Sequence, residues 1–232
     1  MSRTNAEKGR RPNVQGEQTR KSVLEVAGQV FAEKGYDGAG FRDIAARSGV
    51  GLSSIMYHFG SKQGLYIETI RHCVTDKFQL DRHFKVFDGL DYGDAQAVAD
   101  ALRVSIRSFL AACHSEANSD AMMALYARIL VGNNPEALGM LLQCFEGVQQ
   151  KLPAVVQRIR PDWTETQVAF WVQSFWAQLQ YTVMGKQLIL YDMNLGTAYP
   201  EDYLDRCADY LAWYAALPLG LPAPSGLEPH PS

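Results

Sequence analysis

Only four cysteines occur in this chain, at positions 73, 113, 144 and 207, and no two form a CxxC pair. That spacing offers neither a disulfide framework nor a zinc ribbon, and a chain of this length needs no disulfide staples to build a core. All four are expected to be reduced and mostly buried. Long apolar runs are missing too. No window approaches twenty uninterrupted apolar residues, so no membrane partner is expected, and the opening stretch MSRTNAEKGRRPNVQGEQTRKS is polar and basic, without the apolar core of a signal peptide. A cytoplasmic location is the expectation. Catalytic patterns are equally scarce: no glycine-rich phosphate loop follows a strand, Ser53 lies in no nucleophile elbow, and His58, His83, His114 and His230 are scattered. Glu68 and His72, four apart, could face a common metal, but no third ligand accompanies them and a solvated surface pair is the plainer reading. No cofactor, no metal site and no enzymatic activity are expected.

What is present is apolar residue in quantity and an uneven charge. Hydrophobic residues make up 47% of the 232 positions, enough for one large or two small domains. The net charge of −3 conceals an asymmetry: residues 1–71 carry 11 Lys and Arg against 7 Asp and Glu, a surplus of +4, while the remainder carries 11 against 18, or −7. A basic first third beside an acidic body suggests that only the first third meets a polyanion, although on charge alone a solvated basic tail is the simpler explanation.

Helical periodicity runs through almost the whole chain. From Gln18 to Lys34, Val23, Val26, Ala27, Val30 and Phe31 line one face of an amphipathic helix, which Gly35 stops. A short second helix starts near Gly40, contains Phe41, Ile44 and Ala45, and must end by Gly49. A third spans Leu52 to Phe59, with Ile55 and Phe59 pointing inward. Ser61 caps a fourth that includes Leu65, Ile67, Ile70, Val74 and Phe78.

Two short helices joined by a tight turn at Gly49, with Val50 plugging the angle, describe a helix-turn-helix. The segment VGLSSIMYHF then supplies the helix that would enter the DNA major groove. Ser53 and Ser54 are small enough for close approach, Tyr57 and His58 can reach the backbone, and Lys62 adds positive charge at the next helix start. Tight helical corners also occur in proteins that never touch DNA. The whole run VFAEKGYDGAGFRDIAARSGVGLSSIMYHFGSKQGLY, however, resembles the N-terminal domain of the tetracycline-repressor (TetR) family over about Gln18 to Tyr66, including the FAEKGY, RDIAARSGV and YHFGSK segments.

That resemblance implies a dimeric repressor that releases a palindromic operator on binding a small-molecule effector. By position it implies DNA contacts, mainly to phosphates, for Arg42, Tyr57, His58 and Lys62, and base-proximal places for Ser53 and Ser54. The chain departs from the family pattern at Gly40 and Gly51, where hydroxyl caps are usual, and at Leu52 and Met56, which can offer apolar contact to thymine methyls in place of hydrogen bonds. Ahead of the first helix, Lys8, Arg10 and Arg11 form a basic arm that could follow phosphates or the minor groove, or remain an uncommitted tail.

Breaks near 88–94, 114–120, 133–135, 160–164 and 194–200 divide the rest into roughly five helices, giving an all-α chain of about nine. Thr164 with Gln167 makes a capping box, and Pro153 is expected to kink or interrupt its helix. A helix from Thr164 to about Tyr191 carries two apolar stripes, one of Val168, Trp171, Val172, Phe175, Trp176 and Leu179, the other of Phe170, Ala177, Tyr181, Met184 and Leu188. One stripe packs on its own domain and the other needs a further helix or a second subunit. The resemblance implies a homodimer through the last two helices, with Trp171, Phe175, Tyr181, Leu188 and Leu211 as interface residues; a wholly intramolecular core is the alternative. Phe109, Met122, Tyr126, Phe145, Trp176 and Gln180 can line an apolar effector pocket, though such a set also reads as plain core.

The expected organisation is a flexible arm over 1–17, a helix-turn-helix DNA-binding domain over 18–66, a helical ligand-binding and dimerisation domain over 67–217, and a disordered proline-rich tail over 218–232. Three functional readings follow: an effector-released DNA-binding repressor, a DNA-binding dimer with no small-molecule site, and a helical enzyme reusing the fold.

Overall fold

A computed structural model describes residues 14–115 and 120–227. The basic-arm residues Lys8, Arg10 and Arg11, and His230, lie outside them. Among the described residues there are eleven α-helices and no strand.

The first four helices build the head. They are α1 (Val14–Gly38), α2 (Phe41–Ser48), α3 (Leu52–Phe59) and α4 (Lys62–Arg71). Gly35 interrupts α1 at φ 71°, ψ 176°, a conformation that L side chains avoid, and one further turn follows it. The expected stripe faces inward: Val23, Ala27, Val30 and Phe31 are fully buried, with Ile44, Ile55, Phe59 and Leu65 closing over them from the other three helices. Ser61 caps α4 by accepting from the Gly64 amide at 3.0 Å. At Gly64 a Cβ would lie 2.4 Å from the Phe59 carbonyl oxygen, so the tight α3–α4 corner needs glycine there.

The expected fourth helix changes character midway. After Arg71 the backbone widens into a π-helical stretch, His72–Phe78, which ends at Gln79 in the left-handed region (φ 51°). The body follows: α5 (Leu80–His83), α6 (Ala95–Cys113), α7 (Asp120–Val131), α8 (Pro135–Ile159), α9 (Glu165–Met184), α10 (Lys186–Asp192) and α11 (Tyr203–Ala216). The helix expected over 164–191 is therefore two. Its first part begins at the Thr164–Gln167 capping box and closes at Gly185, whose amide completes the last turn on the Tyr181 carbonyl at 2.8 Å; a Cβ on Gly185 would lie 2.6 Å from that oxygen. In contrast, α8 runs on through Pro153, because the buried Leu152, Val155 and Val156 around the proline anchor both sides of the missing hydrogen bond.

The proline-rich segment is not a loose tail where it is described. Leu219 is buried, the Ser225 amide and hydroxyl both donate to the Asp100 carboxylate at 2.6 and 2.7 Å, and Arg103 donates to the Ser225 carbonyl at 2.8 Å. These polar anchors strap residues 218–227 across α6, an arrangement that proline content alone conceals.

Packing does not respect the boundary expected at residue 66. Leu125 and Ile129 of α7 and Ala137 and Leu141 of α8 belong to the same buried cluster as the head. Arg128 of α7 donates through Nε to the Ala32 carbonyl at 2.9 Å, capping α1 just before its break, and Gln63 of α4 donates to Glu136 at 2.8 Å.

Candidate DNA-binding surface and apolar cavity

The turn between α2 and α3 contains Gly49 at φ 68° and positions the two helices through Ile44, Ile55 and Phe59, all buried. The opposite side of α3 is open. Tyr57 is 83% exposed, Ser53, Leu52 and Met56 are exposed, and Ser54 and His58 are half-buried beside them. Arg42 is exposed on α2 and has no ion-pair partner among the described residues. Gly40 and Gly51 begin α2 and α3 with no side-chain cap, which leaves the first amides of both helices open to an anion.

Other head cations serve the fold. Lys34 pairs with Asp43 at 2.7 Å and Arg47 with Glu33 at 2.7 Å, tying α1 to α2. The donated hydrogen bonds hold the Glu33 and Asp43 carboxyls below their ordinary values. Arg20 and Arg71 both pair with Glu68, and Arg20 also lies 5.5 Å from the Phe59 ring centre. Glu68 is thus held by two arginines, while His72 faces Asp76 at 2.8 Å, so this pair is not a half-built metal site. Lys62 is tethered as well: it donates to the Asp37 carbonyl at 3.0 Å and sits 4.8 Å from the Tyr36 ring centre. An ammonium has three donors, so two remain for a phosphate.

In the body, Phe109, Met122, Tyr126, Phe145, Trp176 and Gln180 come together around one cavity of about 50 Å³. Gln180 donates to the Tyr126 hydroxyl at 3.0 Å, Tyr126 stacks on Phe145, and Trp176 stands edge-on to Phe109 and Phe145. Burial raises the Tyr126 phenol above its ordinary pKa, keeping it a neutral hydrogen-bonding group. Three methionines, Met122, Met123 and Met184, line the same space, as do Cys73, Val74 and Phe78 of the π-helical stretch. Burial pushes the Cys73 thiol up to about 11, so it is no reactive thiolate. Sequence reasoning missed the π-helical wall, since a widened helix leaves no period of its own in the apolar pattern.

The two stripes of α9 separate cleanly. Val168, Trp171, Phe175 and Leu179 are buried in the body's own core, where the Trp171 indole donates to the Ala215 carbonyl at 3.1 Å. Trp171 and Phe175, expected at a subunit interface, are therefore interior residues, and Leu211 is half-buried against the same core. The second stripe, which continues from α9 into α10, stays exposed: Phe170 is 64%, Tyr181 53% and Leu188 52% accessible, and Tyr210, Tyr214 and Leu217 near the end of the chain's helices are exposed as well.

Residues 23–69 match the profile described as bacterial regulatory proteins, tetR family. That match takes in the helix-turn-helix head and stops short of the body. Among curated relatives, the chain is 33% identical over 96 residues to the HTH-type transcriptional repressor KstR2 of Rhodococcus jostii, covering 41% of this chain and 45% of that protein. It is 37% identical over 51 residues to the negative transcriptional regulator IcaR of Staphylococcus aureus, covering 22% of this chain and 27% of that one. The chain thus spans less than half the length of the curated relatives it matches. In overall fold it resembles a transcriptional regulator from Rhodococcus sp. RHA1 (TM-score 0.60, 24% identity, 86% of this chain and 96% of that one) and the Bacillus subtilis regulator FadR in complex with stearoyl-CoA (TM-score 0.63, 15% identity, 89% and 98%). Both of these structures are described as transcriptional regulators. No helix among the described residues is long and apolar enough to cross a membrane.

Proposed function

We propose that this chain is a dimeric transcriptional repressor of the tetR family that binds a palindromic operator through α3 and lets go when an apolar effector occupies the body. The observation that carries the DNA reading is α3 itself. One face is locked into the head by Ile55 and Phe59, while the other holds Ser53, Met56 and Tyr57 clear of the protein with the half-buried Ser54 beside them. The serines and Met56 face bases; Arg42, Tyr57, His58 and the free donors of Lys62 take phosphates. One such helix meets too few base pairs for useful specificity, so two copies about 34 Å apart are required. The exposed stripe of Phe170, Tyr181, Met184 and Leu188 with Tyr214 is the surface that brings the second copy.

The effector acts through α7. That helix lines the cavity with Met122, Leu125, Tyr126 and Ile129, and on its other side Arg128 holds the end of α1. A ligand that displaces α7 moves the head with it, and its leverage equals its preference for the displaced arrangement. At about 50 Å³ the cavity must expand to admit such a ligand, and the unbranched methionines are the residues that can yield. The same small volume favours a second reading, a DNA-binding dimer whose body only associates.

Selection of bound sequences from a random double-stranded DNA pool tests the proposal. An enriched palindrome supports the dimeric DNA reader, and no enrichment from a folded dimer overturns it. Release of that palindrome by an apolar compound separates the first reading from the second.

A further inference from the structure

Beside the cavity runs an open groove of about 500 Å³ lined by Val74, Gln79, Asp81, Arg82, Lys85 and Cys144. Two features connect it to the cavity. Val74 of the π-helical stretch lines both spaces, and on α8 the neighbours Phe145 and Cys144 face one space each. The chemistry changes abruptly across that wall. On the cavity side the lining is apolar apart from the Tyr126–Gln180 pair; on the groove side it carries two cations. Arg82 and Lys85 are exposed, and no ion pair joins either to a described residue, whereas Arg71 and Lys77, the cations that precede them in sequence, are paired with Glu68 and Glu25. Asp81 is the opposing charge in the groove, and its carboxylate lies over Gly147 of α8, where a Cβ would stand 2.7 Å from Oδ1.

We propose that the groove is the head-group half of the effector site: the effector is an anionic amphiphile whose apolar part enters the cavity past Val74 and whose phosphate or carboxylate lies against Arg82 and Lys85. The inference rests on the cavity being an effector site. An apolar cavity alone ranks ligands by size and shape; two cations at its edge add a preference for a terminal anion, and guanidinium and ammonium suit phosphate and carboxylate alike. Asp81 tempers that preference, so its removal should strengthen it.

The test uses four probes with the same twelve-carbon chain: dodecanol, laurate, dodecyl phosphate and lauroyl-CoA, each titrated below its micellar concentration into the full-length protein and followed by calorimetry. The anionic probes should bind about tenfold tighter than dodecanol, as two exposed charge contacts allow, with the advantage shrinking as salt rises. The double variant Arg82→Ala, Lys85→Ala should bind dodecanol as before and lose the anionic advantage, while Asp81→Asn should enlarge it. Laurate against dodecyl phosphate and lauroyl-CoA tells a carboxylate ligand from a phosphate-bearing one. Equal binding of dodecanol and the anions, or an advantage that survives the double variant, overturns the head-group site and leaves the cavity reading standing. Binding of none of the four overturns both, while the operator selection continues to stand or fall on its own.

Discussion

Two exposed apolar surfaces distinguish the ends of this molecule, and they differ in what surrounds them. On α3, Leu52, Met56 and Tyr57 stand among Arg42, His58, Lys62 and the uncapped amides of two helices. From α9 to the end of α11, Phe170, Tyr181, Leu188, Tyr214 and Leu217 are large apolar side chains left exposed. Apolar groups set among cations and open amides suit a polyanion with methyl groups in its groove. Large apolar side chains left in the open suit another surface like their own. The lesson is that exposure alone does not name a partner; the polar groups around the exposed residues do.

The sharpest way to test this division uses two neighbours on α9 that face opposite ways. Trp171→Ala should cost about 3–5 kcal/mol, the usual loss for a buried tryptophan, measured by urea unfolding in a background where subunit association has been removed. Phe170→Ala in that background should cost less than about 1 kcal/mol, as exposed substitutions do. Equal losses would mean that the Phe170 stripe belongs to the core and not to an interface.

That background is itself a prediction. Tyr181→Asp with Leu188→Asp places two charges on the stripe and should yield monomer in sedimentation at micromolar concentration. Operator affinity should then fall at least about 100-fold, because each head reads only half a site. A double variant that remains dimeric would move the interface elsewhere.

The DNA contacts proposed for the head divide further into those that position and those that read. Lys62→Ala should weaken binding to every DNA sequence and lower the salt slope by about one. An unchanged slope would make Lys62 a purely structural tether for the Asp37 carbonyl. Ser54→Ala should instead reorder the preferred sites, with about 1 kcal/mol at one base position; an intact ranking would remove Ser54 from the readers.

The smallest effect concerns His83, buried where the π-helical stretch meets the body. Its Nε2–H donates to the Phe78 carbonyl at 3.1 Å and its Nδ1 accepts from the Ser108 hydroxyl at 2.7 Å, which satisfies the neutral ring. Burial lowers its pKa below the ordinary 6.5. As pH falls below about 6.5 the unfolded chain takes up a proton that the folded one refuses, so stability declines until the folded ring itself titrates, and none of this acts at higher pH. His83→Asn should flatten that acid slope in thermal unfolding; a slope as steep as in the unaltered protein would place the titration elsewhere.

Much of the head is legible in the sequence because its signals are local. The stripe Val23, Ala27, Val30 and Phe31, the turn at Gly49 and the Ser61 cap each lie within a few residues of their effect. The body is less legible for a matching reason. Nothing near Trp171 or Phe170 says which of two apolar stripes meets the body's own core, since both obey the same period. The cap that Arg128 places on the end of α1 joins residues 96 apart, and the Ser225–Asp100 strap joins residues 125 apart. Proline in the strap and in α8 misled for the same reason, as distant packing outweighed a local preference.

The sequence by itself therefore determined the all-helical class, the helix-turn-helix and the residues that α3 presents, because helix period, caps and turns are short-range physics. Tertiary structure alone decided which stripe of α9 remains open, that α7 holds both the cavity and the end of α1, and that Arg82 and Lys85, with no ion-pair partner among the described residues, lie beside an apolar space. Those facts depend on which surfaces meet across long stretches of chain, and burial, unlike helix formation, is a property of the pair and not of either partner.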